Sequence, residues 1–165
     1  MKSINLILFS IAFFSFLDYG IAQSKKKADK ETAIWRYELE PAGTGIQGSY
    51  QIKVWSYSKK AETDIEQAKK NAVHGIIFKG FPSKERLSGQ KALAQNPNLE
   101  EVKSEFFKEF FQDGGKYLKF VTLVNNGAIA SEDRIKIGKE YKIGAIVSVN
   151  VAALRTDLED AGIIK

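Results

Sequence analysis

Two stretches of this chain alternate between apolar and polar residues with a period of two, a pattern that no helix can bury. From Ala33 to Glu40, Trp35, Tyr37 and Leu39 fall on one face and Arg36, Glu38 and Glu40 on the other. From Ser49 to Ser58, Tyr50, Ile52 and Val54 oppose Gln51, Lys53, Trp55 and Tyr57. Successive side chains of a strand point to opposite faces, so each run predicts a strand with one buried side. Pro41-Ala42-Gly43-Thr44-Gly45-Ile46-Gln47-Gly48 joins them and is rich in residues that turn the chain. A long antiparallel hairpin is expected, and with it a sheet that needs a covering layer.

The covering layer follows. Between Ala61 and Phe78 the spacing becomes helical, with Ile65, Ala68, Ala72 and Ile76 in a stripe that Val73 and Ile77 widen. Gly80-Phe81-Pro82-Ser83 stops this helix, and residues 80–98 read as a long polar loop, either functional or loosely held. Leu99 to Phe111 predicts a second helix with Leu99, Val102, Phe106 and Phe110 inward, flanked by Phe107 and Phe111, and Asp113-Gly114-Gly115 ends it. Tyr117 to Val124 predicts a strand, Asn125-Asn126-Gly127 a turn, and Ile135 to Ile137 a short strand. Tyr141 to Val149 carries the strongest strand signal, with Ile143, Ala145, Val147 and Val149 on one face. Asn150 is placed to cap a last short helix carrying Leu154 and Leu158, with Gly162 at its C′ position. The order β-β-α-α-β-β-α predicts an α+β fold: an antiparallel or mixed sheet with helices packed on one face.

Ahead of this domain the chain reads as an address. Lys2 is followed by an apolar run from Ile4 to Leu17, too short to span a bilayer, and Gly20-Ile21-Ala22 offers small residues to a signal peptidase. Residues 1–22 are expected to be a signal peptide, cut between Ala22 and Gln23. Residues 23–32 form a basic linker containing Lys25, Lys26, Lys27 and Lys30, and residues 33–165 a single α+β domain. An exported, periplasmic or outer-membrane-associated protein follows. The chain has no cysteine, which excludes disulfides, an N-terminal lipid on cysteine, zinc–thiolate sites and thiol nucleophiles. The net charge is +5, but outside the linker the signs are mixed, so no nucleic-acid footprint is present. The linker lysines read first as a solvated segment, and as the alternative they offer a weak attraction to anionic lipid or polymer, and so a peripheral association with the outer membrane.

The residue sets that could carry chemistry each lack a necessary part. Gly43-x-Gly45-x-x-Gly48 has dinucleotide-binding spacing, but a strand follows it where that site needs a helix. His74 is the single histidine; on an ideal helix it points away from the Ile65/Ala68/Ala72 stripe, as a surface or interface residue, with no evident nucleophile. Glu101, Glu105 and Glu109 recur along the outer face of the second helix and read as solvated. No calcium loop occurs, and one histidine is too few for zinc. No catalytic residue, cofactor or metal is expected. Phe106, Phe107, Phe110 and Phe111 read as core, with a binding groove as the other option. Trp35, Tyr37, Trp55 and Tyr57 form the candidate interaction surface: if helices leave one face of the hairpin uncovered, its aromatics are a platform for protein or sugar.

From about Ala61 onward the chain resembles the small α/β domain of bacterial flagellar assembly protein T and of related outer-membrane lipoproteins. The resemblance rests on Gln67-Ala68-Lys69-Lys70-Asn71-Ala72, a later strand pair, and Ala153-Leu154-Arg155-x-x-Leu158-x-x-Ala161-Gly162-Ile163. Through Tyr50-x-x-Lys53-Val54-Trp55-Ser56-Tyr57-Ser58-Lys59 and Asn71-Ala72-Val73-His74-Gly75-Ile76-Ile77-Phe78-Lys79-Gly80 the chain is also similar to a family of secreted envelope proteins of gut-type Bacteroidetes. These resemblances imply a non-enzymatic role, a protein-binding module beside a secretion or surface-assembly complex, with an envelope protein as partner. This chain differs in lacking the lipoprotein cysteine and in adding the N-terminal hairpin. The alternatives are a carbohydrate or peptidoglycan binder using Trp35 and Trp55, and a hydrolase using His74 or the glutamates.

Overall fold

The computed structural model describes residues 35–59 and 65–165. The expected leader with its Ala22/Gln23 junction, the basic linker, and the first turn of the helix expected from Ala61 lie outside the described residues. The chain divides at Arg36/Tyr37, and the fold is that of the unit Tyr37–Lys165.

It is an α+β fold built on a five-stranded antiparallel sheet. Strands β1 (Tyr37–Thr44) and β2 (Ser49–Ser58) form the expected hairpin, and β5 (Glu140–Asn150) pairs with the other edge of β2. Two short strands share the far edge of β5: β3 (Val121–Leu123) along its C-terminal half and β4 (Arg134–Ile137) along its start. Between β2 and β3 come α1 (Ile65–Phe78), α2 (Leu99–Val102) and α3 (Ser104–Phe110), and α4 (Val151–Asp160) closes the chain. No helix among the described residues is long and apolar enough to cross a membrane.

Register sorts the residues of the sheet. Leu39, Val54 and Ala145 lie in one cross-strand row, and Pro41, Ile52 and Val147 in the next. Val54, Ile52, Val147, Val149 and Ile143 are fully buried on this face. Burying a side chain of this size contributes about 1.5–3 kcal/mol. α1 covers them: Ala68, Ala72, Val73, Ile76 and Ile77 are also fully buried, and Gly75 sits so close to Leu39 and Tyr37 that a β-carbon there would collide with Leu39. The opposite face carries Glu38, Glu40, Lys53, Trp55, Tyr57, Lys142, Gly144 and Ile146, which alternate out of the core.

Four sequence expectations change. β1 runs through Pro41 to Thr44, with a register shift between Pro41 and Gly43, so the turn is shorter than the 41–48 segment; proline is tolerated because β1 is an edge strand. The helix expected over Leu99–Phe111 breaks at Lys103, whose backbone (φ −111°, ψ 31°) leaves the helical region. The break resets the phase, so Val102 is 66 % exposed while Leu99, Phe107, Phe110 and Phe111 are buried. Lys116–Phe120 is a 3₁₀ turn rather than the first part of a strand, and extended structure begins at Val121. The 80–98 loop is long, as expected, but tied down. Phe81 and Gln90 exchange two backbone hydrogen bonds, and Leu93 and Ala94 donate to the carbonyls of Ile76 and Ile77 at the end of α1.

The last helix follows its sequence signals closely. Asn150 Oδ1 accepts from Ala153 N at 3.0 Å, capping the N-terminus. At the other end Gly162 adopts φ +64°, its N–H bonds Glu159 O and that of Ile163 bonds Leu158 O, the paired closure that favours glycine at this position.

Candidate functional site

The face of the sheet opposite α1 is, among the described residues, an ordered set of aromatic and charged side chains. The cross-strand pairs Glu38/Trp55 and Glu40/Lys53 place two carboxylates on β1 beside the aromatics of β2, and β5 adds Lys142 opposite Tyr57 and Gly144 opposite Trp55. Gly144 is needed for this arrangement. A β-carbon there would stand 3.0 Å from the Trp55 ring and 3.1 Å from Lys53 Cδ, so its absence lets the indole lie against the strand.

Hydrogen bonds fix the face in place. Trp55 Nε1–H donates to Glu40 at 3.0 Å and the Tyr57 hydroxyl to Glu38 at 2.8 Å. Lys142 Nζ donates to the other oxygen of Glu38 at 2.7 Å and Lys84 to the other oxygen of Glu40 at 2.9 Å. Lys53 pairs with Asp133 at 2.7 Å, and Asp133 is buried. Lys53 and Lys142 also lie over the Trp55 ring, at 5.3 and 5.2 Å from its centroid, where the aromatic quadrupole attracts cations. The hydrogen bond from Lys142 holds the Glu38 carboxyl below its usual range, and Lys142 is raised in turn. Burial acts to raise Glu40, but the hydrogen bonds from Lys84 and Trp55 outweigh it and the group is lowered. These shifts describe charges satisfied by one another, not a proton donor held ready at neutral pH.

The four aromatics of the candidate surface do not stay together. Trp55 and Tyr57 lie on the open face, half-buried. Tyr37 points to the covered face, opposite Ser56, and is buried. Trp35 precedes β1, in a turn. The phenylalanines divide too. Phe107, Phe110 and Phe111 are core, as expected, whereas Phe106 is half-exposed and stacks on Phe110 at the rim of a cleft of about 520 Å³ bordered by Glu109, Lys116 and Lys119.

His74 departs furthest from expectation. It is not a surface residue: its side chain is 4 % exposed, stacked among Phe78, Phe111 and the edge of Tyr37. The reason is that Asn71 to Ile77 are buried all the way round α1, with the sheet on one side and the α2–α3 segment on the other. His74 Nδ1 meets the Tyr37 hydroxyl at 2.5 Å, and Nε2 lies 3.2 Å from both carboxylate oxygens of Glu100. This network assigns the neutral tautomer, with Nε2–H donating to Glu100 and Nδ1 accepting from Tyr37. Burial depresses the imidazole pKa against the opposing pull of Glu100, and burial, reinforced by Glu100, pushes the Tyr37 phenol well above its ordinary range.

A hydroxyl, an imidazole and a carboxylate in sequence are the parts of a nucleophile relay, but here they run inside out. In such a relay the hydroxyl meets substrate and the acid is buried behind the base. Here Tyr37 is 7 % exposed while the Glu100 side chain is 42 % exposed. A phenol with a raised pKa is also a poorer source of oxyanion. The arrangement suits a latch joining β1, α1 and α2. Glu101, Glu105 and Glu109 stay on the exposed surface, away from this network. Among the described residues no three acidic or histidine side chains gather as metal ligands.

Sequence reasoning missed Glu100, Lys142, Gly144 and Asp133. Lys142, Gly144 and Ile146 occupy the polar parity of β5 and were open to the alternation argument. Glu100 carries no local signal, because only the packing of α2 against α1 brings it to His74. No family model matches the chain, and no curated protein and no solved structure matches it either.

Proposed function

We propose that this chain is a non-enzymatic protein-binding module of the cell envelope, exported by its leader, that docks on a secretion or surface-assembly complex through the open face of its sheet. The observation that carries this reading is that face itself. It holds half-buried Trp55, Tyr57 and Ile146 and exposed Ile135 and Ile137, framed by paired charges, while α1 packs on the opposite face. Aromatic anchors inside a polar rim are the composition of protein interfaces. The inverted exposure of Tyr37, His74 and Glu100 supports a non-catalytic reading. A sugar platform needs an indole face offered to solvent. Trp55 instead lies against Gly144 with lysines over its ring and its N–H engaged by Glu40, which favours protein over sugar.

The test is site-specific photo-crosslinking in the host envelope. A photo-reactive residue at position 57 should capture one discrete partner, and the same residue at position 101, on exposed α2, should capture none. Equal crosslinking from both positions, or none from position 57, removes the docking face from the proposal.

A further inference from the structure

The cations of the sheet are unevenly matched. Lys53, Lys84 and Lys142 each bind a carboxylate within the fold. Arg134, Lys136 and Lys139, on β4 and at the tip of its hairpin with β5, have no acidic partner among the described residues. All four residues of β4 are exposed, including Ile135 at 44 % and Ile137 at 48 %. β4 pairs with β5 along one side, and among the described residues no strand pairs with its other side.

Free sheet edges are usually short and charged, which discourages unwanted pairing, and β4 is both. Two isoleucines on one side of the same edge go against that purpose. Ile135 stands opposite Lys142, which stands opposite Tyr57, so the isoleucines extend the open face outward. Arg134 and Lys136 project to the other side. A strand laid along β4 would find a cationic row, an apolar row and unpaired backbone groups together. A second copy of this chain brings the same cations to the edge and is repelled, whereas an acidic strand is attracted.

We propose that the outer edge of β4 accepts an extended acidic segment of a partner protein. Its backbone adds a strand to the sheet, its carboxylates lie over Arg134 and Lys136, and its alternate apolar side chains lie beside Ile135 and Ile137. Strand addition of this kind takes affinity from main-chain hydrogen bonds and specificity from alternate side chains. The inference rests on the protein-binding reading of the adjoining face and names the chemistry of the partner.

The experiment titrates the isotopically labelled full chain with a synthetic peptide of alternating glutamate and valine. Amide resonances of residues 134–137 should shift. A lysine–valine peptide should bind at least about tenfold more weakly, and added salt should weaken the glutamate peptide, as expected for exposed charges. Methylating alternate peptide nitrogens should abolish binding. Arg134→Glu combined with Lys136→Glu should weaken it at least about tenfold, since both side chains contact the peptide carboxylates, while Glu105→Gln, on the exposed side of α3, leaves it intact. Undiminished binding of the methylated peptide, shifts confined to another surface, or no binding overturns the proposal. So does binding of phosphatidylglycerol vesicles without any response to the peptide, which assigns the cations to a lipid surface. The peptide-side controls need no variant, so a misfolded double variant leaves the test intact. If the peptide fails while crosslinks at position 57 persist, the edge is lost and the docking face stands.

Discussion

Acidification below about pH 6.5 should destabilise this fold, and His74 should account for the onset of the effect. The chain has one histidine, and carboxylates of ordinary pKa titrate about two units lower, so the imidazole is the first side chain to take up a proton. Three groups face the imidazole: the Tyr37 hydroxyl at Nδ1, the Glu100 carboxylate at Nε2 and, at longer range, the Lys79 cation. Glu100 favours protonation, but it is substantially solvated and burial prevails, so the folded pKa lies below the ordinary 6.5. The unfolded chain then binds one more proton than the folded chain between those two values. The contribution is complete above about 6.5 and is lost as pH falls toward the folded pKa, with a limiting slope of about 1.4 kcal/mol per pH unit. With a urea dependence of about 1–3 kcal/mol per molar, the midpoint should fall by roughly 0.5–1.4 M per unit at the steepest. Urea unfolding of the untagged chain across this range, beside His74→Gln, provides the assay. The amide of glutamine can still donate and accept but does not titrate, so its curve should be flat where the wild type slopes. Parallel curves, or a wild type that gains stability on acidification, would refute the argument that burial dominates.

Other substitutions test the packing. Phe107→Ala removes a ring 3 % exposed that contacts Phe78, Phe110 and Phe111, and should cost about 3–5 kcal/mol in urea unfolding. Val102→Glu should change stability by no more than about 0.5 kcal/mol, because the break at Lys103 turns Val102 outward; a loss of several kcal/mol would mean that an unbroken helix buries it. Asn150→Ala should cost about 1 kcal/mol by removing the cap on Ala153 N, with the loss visible as faster amide exchange in the first turn of α4.

The parts of the fold legible in the sequence are those where one local pattern decides the outcome. The alternation through Tyr37–Glu40, Ser49–Ser58 and Tyr141–Val149 sorts residues between faces without knowledge of any partner, and the Asn150 and Gly162 signals are complete within a few residues. What was not legible depends on contacts distant in the chain. Tyr117, Leu118 and Phe120 have strand-like composition, yet they coil as a 3₁₀ turn that places Tyr117 and Phe120 in the core against Phe111 and Phe110. Helical periodicity against a single covering layer sets His74 outside, whereas α1 is covered on two sides. A usable signal was present: Ala72 to Phe78 is apolar but for His74, and a helix apolar on all sides is buried on all sides. On the candidate site, alternation gave Trp55 and Tyr57, and it set Glu38 and Glu40 on the side of β1 away from Tyr37 without assigning them to the surface. The ladder through Gly144 and Lys142 needed the register of β5.

That register makes one physical cause responsible for both the buried latch and the open face. Tyr37 lies opposite Ser56 and Glu38 opposite Trp55, so the pairing that carries the Tyr37 hydroxyl inward to His74 carries the indole outward to Glu40. Slipping β1 by one residue would exchange the faces, bury Glu38 and Glu40 against α1, and strand both the phenol and the imidazole. Each uncompensated carboxylate in the core would cost several kcal/mol. The latch thus needs no catalytic purpose to account for its geometry. It holds β1 in the one register that sets Glu38 and Glu40 beside Tyr57 and Trp55, and weakening it should loosen the hairpin's outer strand before it disturbs the paired centre formed by β2 and β5.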